Sequence, residues 1–324
     1  MANPKPKKTD KTAKKSTEKS ESSREAVATS NNKMTHGQDQ SACKGFFARK
    51  CDKGENVLTI FKTPKIWGAL LGELIGTMLL AMLLLTMGLN PQYLVLAVVC
   101  IYAVIVGLSG AHLNPLVTAG MMATRRMSAI RGVLYMLAQV LGAWIGLIIA
   151  NAFRLGSGTS SVELMSMVEV TGETFWVTAL IELLGAMVLA FCFARALRFV
   201  RRSPLAFAFT ISSSLLLVLI FGLIIMQNYF GLSGNTFIFN PAVALMYQIL
   251  PTTADGIGEL ASLAGLALAA YVLVPIIGGI IGFFVADVTT RLAGSGYDCD
   301  DFHCDHCGIH QECMDCHKNH GHEA

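Results

Sequence analysis

Charge is scarce along most of this chain. Of its 324 residues only 15% are Asp, Glu, Lys or Arg, and most of those crowd the two ends. A soluble domain carries roughly a quarter, so an ordinary water-soluble globule is excluded. The N-terminal region lacks an apolar run, which argues against a secretory signal peptide and leaves the first apolar stretch in place as a span. No nucleophile beside a base, no phosphate-binding glycine loop and no catalytic dyad is evident, so no enzyme is expected. Apolar residues are what the chain has in plenty: 53% are hydrophobic and the mean hydropathy is +0.53. The chain reads as an integral membrane protein.

Residues 1–60 are rich in Lys, Ser and Thr, with almost no apolar periodicity. Such a segment cannot bury enough surface to offset its ordering entropy, and a disordered basic tail is expected. Its lysines suit an anionic lipid surface better than nucleic acid, and no nucleic-acid partner is expected. Six apolar runs follow, at about 66–88, 91–108, 130–152, 175–197, 204–227 and 262–289. Each is roughly long enough to cross a hydrocarbon core of about 30 Å. Six spans put both termini on one side. Arg125, Arg126 and Arg131 lie in one connection, and Arg195, Arg198, Arg201 and Arg202 in another on the same side, whereas the opposite connections carry Arg154 and little else basic. Basic connections stay in the cytoplasm, so both termini are expected there. Trp67 and Trp176 open the first and fourth runs, where interfacial aromatic anchors belong.

A short motif appears twice between these runs. Ser109-Gly110-Ala111-His112-Leu113-Asn114-Pro115-Leu116 follows the second, and Ser233-Gly234 with Asn240-Pro241-Ala242 follows the fifth. Asn is a favoured helix N-cap and Pro is best tolerated at the first helical position. Each copy therefore predicts a helix start, continued by Val117 to Ala123 and by Val243 to Ile249. About ten residues give roughly 15 Å, half a hydrocarbon core.

The spans repeat as well. Gly72-Glu73-Leu74-Ile75-Gly76-Thr77-Met78-Leu79-Leu80 in the first matches Ile181-Glu182-Leu183-Leu184-Gly185-Ala186-Met187-Val188-Leu189 in the fourth. Tyr135 to Ala143 in the third echoes Tyr271 to Gly279 in the sixth. Three spans and a half-helix thus occur twice, over about 66–152 and 175–291, and an odd number of spans inverts the second copy. Inverted repeats place a shared site near the midplane at interrupted helices. Two half-helices entering from opposite faces would meet tip to tip, each end carrying about half a positive charge and unsatisfied N–H groups. Glu73 and Glu182 are carboxylates inside apolar spans, costly unless hydrogen-bonded. Gly68, Gly72 and Gly76 at four-residue spacing offer a close approach to a neighbouring helix.

With these residues in place, the chain resembles the aquaporin family of water and glycerol channels. The resemblance rests on Ser-Gly-Ala-His-Leu-Asn-Pro at 109–115, Tyr-x-x-Ala-Gln-x-x-Gly-Ala at 135–143, the Glu-x-x-Gly pairs at Glu73 and Glu182, and Asn240-Pro241-Ala242, all in family order. It covers about 66–291, and with its flanks a channel domain of 61–292. It implies an all-α membrane protein, a right-handed bundle of six transmembrane helices plus two half-helices in an inverted repeat. It further implies a pore whose midplane is formed by Asn114, Pro115, Leu116, Asn240, Pro241 and Ala242. Glu73, Glu182, His112 and Gln139 would brace the two loops. Each subunit of a homotetramer would carry its own pore for water and small neutral solutes, and the expected site is the plasma membrane.

Two positions depart from the pattern. Leu116 stands where the family usually has Ala after Asn-Pro. Val243 stands three residues after the second Asn, where the family's outer constriction normally has Arg. The loop before Asn240 is also about five residues longer than usual. Aligned on Phe221-Gly222-Leu223, the constriction is Leu94, Leu223, Phe237 and Val243; aligned on Ser233-Gly234, Met226 replaces Leu223. Either ring is apolar, without a charged donor, and suits glycerol or other small neutral solutes better than water.

Beyond Arg291 the chain turns polar, and 293–324 is rich in metal ligands. Cys304, Cys307, His310, Cys313 and Cys316 fall at a strict three-residue spacing, with further Cys, His and Asp around them. In a reducing cytoplasm such pairs suggest metal rather than disulfide. Thiolate with imidazole suits Zn²⁺ or Cu(I), although the gap between the two Cys pairs is shorter than in common zinc modules. No cofactor is required by the span region. Two other functions compete with a passive channel: a secondary transporter, since inverted repeats and broken helices occur there too, and a membrane metal sensor that acts through the Cys/His tail.

Overall fold

A computed structural model of the chain describes residues 61–62, 64–86, 91–156, 166–167, 170–231, 235–249 and 265–293. Residues 1–60 and 294–324, including every proposed metal ligand of the tail, lie outside that set. The described chain is helical: α1 Pro64–Thr86, α2 Pro91–Ser109, α3 Pro115–Ala123, α4 Ala129–Gly156, α5 Phe175–Ala196, α6 Pro204–Phe230, α7 Pro241–Ile249 and α8 Val274–Leu292. Two residue pairs, Ser166–Met167 and Asn235–Thr236, form a minimal parallel bridge that ties the connection after α4 to the loop before α7.

Among the described residues five helices are long and apolar enough to cross a membrane, α8 being counted from Gly265. The sixth, α2, is shorter, its apolar part running from Tyr93 to Ser109; at the α-helical rise that is about 26 Å. The membrane-facing surface is oily, with Trp67 58% and Trp176 76% exposed at two helix starts. Trp67 donates its indole N–H to the Phe61 carbonyl, the wet end that an interfacial Trp needs.

Local sequence explains the boundaries. Of the six prolines among the described residues, five open helices, at Pro64, Pro91, Pro115, Pro204 and Pro241. There the missing N–H costs nothing and the fixed φ suits the first turn. Ser203 caps α6 by accepting from the Ala206 N–H, and Gly231 ends it in the left-handed conformation at φ 62°. Before α8 a π-helical turn, Ala269–Leu273, precedes Pro275; such a turn absorbs the hydrogen bond that proline cannot donate.

The two halves pack alike. A side chain at Gly142 of α4 would collide with the Leu74 carbonyl of α1, and one at Gly146 with the Met78 carbonyl. In the second half Gly278 and Gly282 of α8 meet the Leu183 and Met187 carbonyls of α5 in the same way. These glycines let α1 lie against α4 and α5 against α8 at backbone contact, the packing that small residues permit where no hydrophobic force drives helices together. Of the three glycines along α1, Gly72 faces Leu108 and Ser109 and Gly76 faces Leu113, but Gly68 has open space around it among the described residues. Its position on the outer side of α1 separates it from the packing that its spacing suggested.

One ion pair crosses the sequence. Arg126 donates to Asp287 of α8 at 2.6 Å, the two side chains 9% and 3% exposed. Arg195 donates to the Thr290 hydroxyl one turn further along α8.

Candidate pore waist

The two half-helices begin at non-helical loops whose backbone is strained. Gly110, Ala111 and Leu113 have φ of 86°, 49° and 52°, and Phe239 in the second loop has 48°. For residues with a side chain this left-handed region costs roughly 1–3 kcal/mol each. Leu113 and Phe239 stand at equivalent places, each just before its Asn.

The twist turns each carbonyl across the repeat. Asn114 donates from Nδ2 to the Phe239 carbonyl at 2.7 Å, and Asn240 donates from Nδ2 to the Leu113 carbonyl at 2.9 Å. Each Oδ1 meanwhile caps its own half-helix, Asn114 accepting from Leu116 N and Asn240 from Ala242 N, both at 3.1 Å. A side-chain amide carries two N–H groups, so one on each Asn remains beyond these bonds. The starts of α3 and α7 are thus clamped together, and Pro115, Leu116, Pro241 and Ala242 are buried around them.

The carboxylates behind the loops are held unequally. Glu73 accepts four hydrogen bonds: Ser109 Oγ at 2.5 Å and His112 N at 3.0 Å on Oε1, Leu113 N at 2.8 Å and Gln139 Nε2 at 2.7 Å on Oε2. Gln139 also donates to Thr118 Oγ1, which lies 3.2 Å from His112 Nδ1. In the second half Ile238 stands at the place of His112, Ala244 at that of Thr118 and Pro275 at that of Gln139. There Glu182 accepts from Ile238 N at 3.3 Å through Oε1, while Oε2 is buried with no hydrogen-bond partner.

Of the residues expected at a constriction, Leu94, Phe237 and Val243 are 3%, 0% and 1% exposed and belong to one buried apolar cluster. Met226 is in that cluster at 1% exposure, whereas Leu223 is only half-buried and is not a member. The face of α6 bearing Gly222 and Met226 is the one turned to the loop, since a side chain at Gly222 would strike the Phe237 ring. The Phe237 ring in turn stacks on Phe239, centroids 5.9 Å apart.

The profile described as Major intrinsic protein matches residues 60–287. The chain belongs to that family. Among curated proteins it is similar to Probable aquaporin PIP2-5 of Arabidopsis thaliana, 33% identical over 91 residues, 26% of this chain and 29% of that protein. It is also similar to Probable aquaporin PIP2-8 of Arabidopsis thaliana, 45% identical over 62 residues, 17% of this chain and 22% of that protein. The chain therefore spans under a third of the length of these relatives. Among solved structures, the aquaglyceroporin from Plasmodium falciparum shares the fold, with a TM-score of 0.52 at 20% identity over 71% of this chain and 99% of that one.

Some features of this major intrinsic protein do not show in its sequence. The carbonyl partners of the two Asn side chains are main-chain atoms with no signature. Thr118, the hub between His112 and Gln139, sits one turn into a half-helix and looks like helix filler. Asp287 carried a usable signal, as an acid inside an apolar run. Among the described residues no group of three or more His, Cys, Asp or Glu is placed to hold a metal.

Proposed function

We propose that this major intrinsic protein is a passive channel for small uncharged solutes, glycerol and water among them. The observation that carries the reading is the mutual clamp of Asn114 and Asn240. It holds two half-helix N-termini face to face at a point where each amide keeps an N–H to offer. A neutral hydroxyl or a water oxygen can accept from such donors. A cation meets two positive helix ends, a barrier general to pores of this type. On one side of this waist, Leu94, Met226, Phe237 and Val243 make an apolar constriction without a charged donor. That ring favours solutes with some carbon over water alone. Glu73 and Glu182, with His112 and Gln139, act as loop braces rather than proton carriers.

We further read both termini as cytoplasmic, in the plasma membrane, with four copies assembled side by side, and the Cys/His tail as a Zn²⁺ or Cu(I) ligand set. Native mass spectrometry of the purified full chain should find stoichiometric metal; its absence would remove that site.

In reconstituted vesicles glycerol flux should grow linearly with the gradient and ignore a proton gradient. A flux that saturates or follows protons would make the protein a secondary transporter. Deleting 295–324 should leave permeability unchanged, whereas a sensor working through its tail would lose its response.

A further inference from the structure

Two helix faces that carry the outer constriction carry something else at their other ends. On α2 the buried positions Leu94, Val98, Tyr102 and Ile105 form one stripe, and on α6 the buried positions Phe207, Ile211, Leu215, Leu219, Gly222 and Met226 form another. Leu94 and Met226 lie at the constriction. Tyr102 lies about two turns further along its stripe, and Phe207 sits in the first turn of α6. On α5, Phe193 follows Glu182 by about three turns on the same face, with Leu189 between them.

These aromatic rings meet. Tyr102 and Phe207 have centroids 6.3 Å apart, and Phe207 meets Phe193 edge to face at 5.4 Å. Phe193 then stands edge-on to the His112 ring at 5.9 Å, two residues before Asn114 in the loop. The four are 0–3% exposed. They come from α2, α5, α6 and the first loop, and they form a continuous row of rings on the side of the waist away from Val243. The bases of the same end, Arg195 and Arg198 on the chain after Phe193, mark it as the cytoplasmic side under the orientation proposed above.

We propose that Phe193 and Phe207, braced by Tyr102 and His112, form a second constriction that limits the rate at which any solute leaves the waist. The proposal rests on the channel reading. Aromatic edges offer a passing hydroxyl no strong acceptor or donor, and an apolar narrowing of this kind excludes water by dewetting. Because the two rings that narrow the path, Phe193 and Phe207, are apolar and make no solute-specific contact, they slow water and glycerol alike. The outer ring, by contrast, sets their ratio.

The test is stopped-flow light scattering on vesicles holding wild type, Phe193→Leu, Phe207→Leu and the double variant, at matched amounts of folded protein. Leu removes the ring and its bulk from the path while staying apolar, so the helix faces are preserved. In the double variant water and glycerol permeabilities should both rise about tenfold, the change that removing about 1.4 kcal/mol from a barrier gives. Phe193→Trp, which adds bulk, should lower both below wild type. If wild type conducts and none of these variants alters the flux, the rings are core packing and the second constriction is overturned, while the channel stands. If neither wild type nor the double variant conducts, both readings fall together.

Discussion

Asn114 and Asn240 are each anchored to the backbone unit that immediately precedes the other. Asn114 reaches the Phe239 carbonyl and Asn240 reaches the Leu113 carbonyl, so two loops 125 and 127 residues removed from their partners stand or fall as one unit. Replacing Asn114 with Ala removes a cap, worth about 1 kcal/mol, and leaves the buried Phe239 carbonyl without its donor, about 1–3 kcal/mol more. Denaturant titration in detergent should show a loss of about 2–4 kcal/mol. Asn114→Asp keeps the cap but loses the donor and sets an oxygen against the Phe239 carbonyl, so its loss should be at least the carbonyl term alone. A loss near zero in Asn114→Asp would mean that the cross-loop bond contributes nothing, and equal losses in both variants would mean the same of the cap.

The two membrane carboxylates should respond unequally to the same substitution. Glu73→Gln turns an acceptor of four hydrogen bonds into an amide whose NH₂ must face either the His112 N–H or the Leu113 N–H. Bonds to a charged acceptor are worth about 1.5–3 kcal/mol each, and a cost of about 3 kcal/mol or more is expected. Glu182→Gln loses little, because Oε2 has no partner to offend; a change within about 1 kcal/mol is expected. Thermal unfolding of the two variants beside wild type decides it, and a larger loss at Glu182 would contradict the asymmetry.

Val243→Arg probes the proposed outer constriction by placing a cation in it. The longer side chain would enter the space shared by Leu94, Met226 and Phe237. Glycerol flux should fall about tenfold, roughly 1.4 kcal/mol of added barrier, with water flux falling less because water fits past a narrower, better hydrated ring. An unchanged ratio of the two fluxes would place Val243 off the solute path.

Asp287→Asn leaves Arg126 buried beside a neutral partner. Removing one member of a buried pair costs about 3–5 kcal/mol, and the pair joins the segment after α3 to α8. A marked fall in unfolding temperature is expected, restored in part by pairing it with Arg126→Met. If the double variant is no more stable than Asp287→Asn alone, the cost lies elsewhere.

Much of this fold could be read from residue type and spacing, because short-range rules set it. Asn before Pro marks both half-helix starts, and the spacing of Gly72 and Gly76 marks a close approach along α1. Which face of α6 turns inward was less legible. Leu223 and Met226 are both apolar and three residues apart, and only the approach of Gly222 to Phe237 shows that Met226 shares the buried face. The cross-loop clamp was hidden because it depends on a left-handed backbone at Leu113 and Phe239, residues that rarely adopt it. The unequal bracing of Glu73 and Glu182 was hidden for another reason: the matched Glu-x-x-Gly pairs look alike, while the partners that differ, Gln139 and Pro275, lie on other helices. Arg126 and Asp287 are too distant along the chain for any local pattern to join them.

The most direct measurement is the shrinkage and reswelling of vesicles holding the wild-type chain under water, glycerol and urea gradients. With a donor-lined waist behind an apolar ring, glycerol should cross well above the rate of empty vesicles. Vesicles that behave like empty ones toward all three solutes would contradict it.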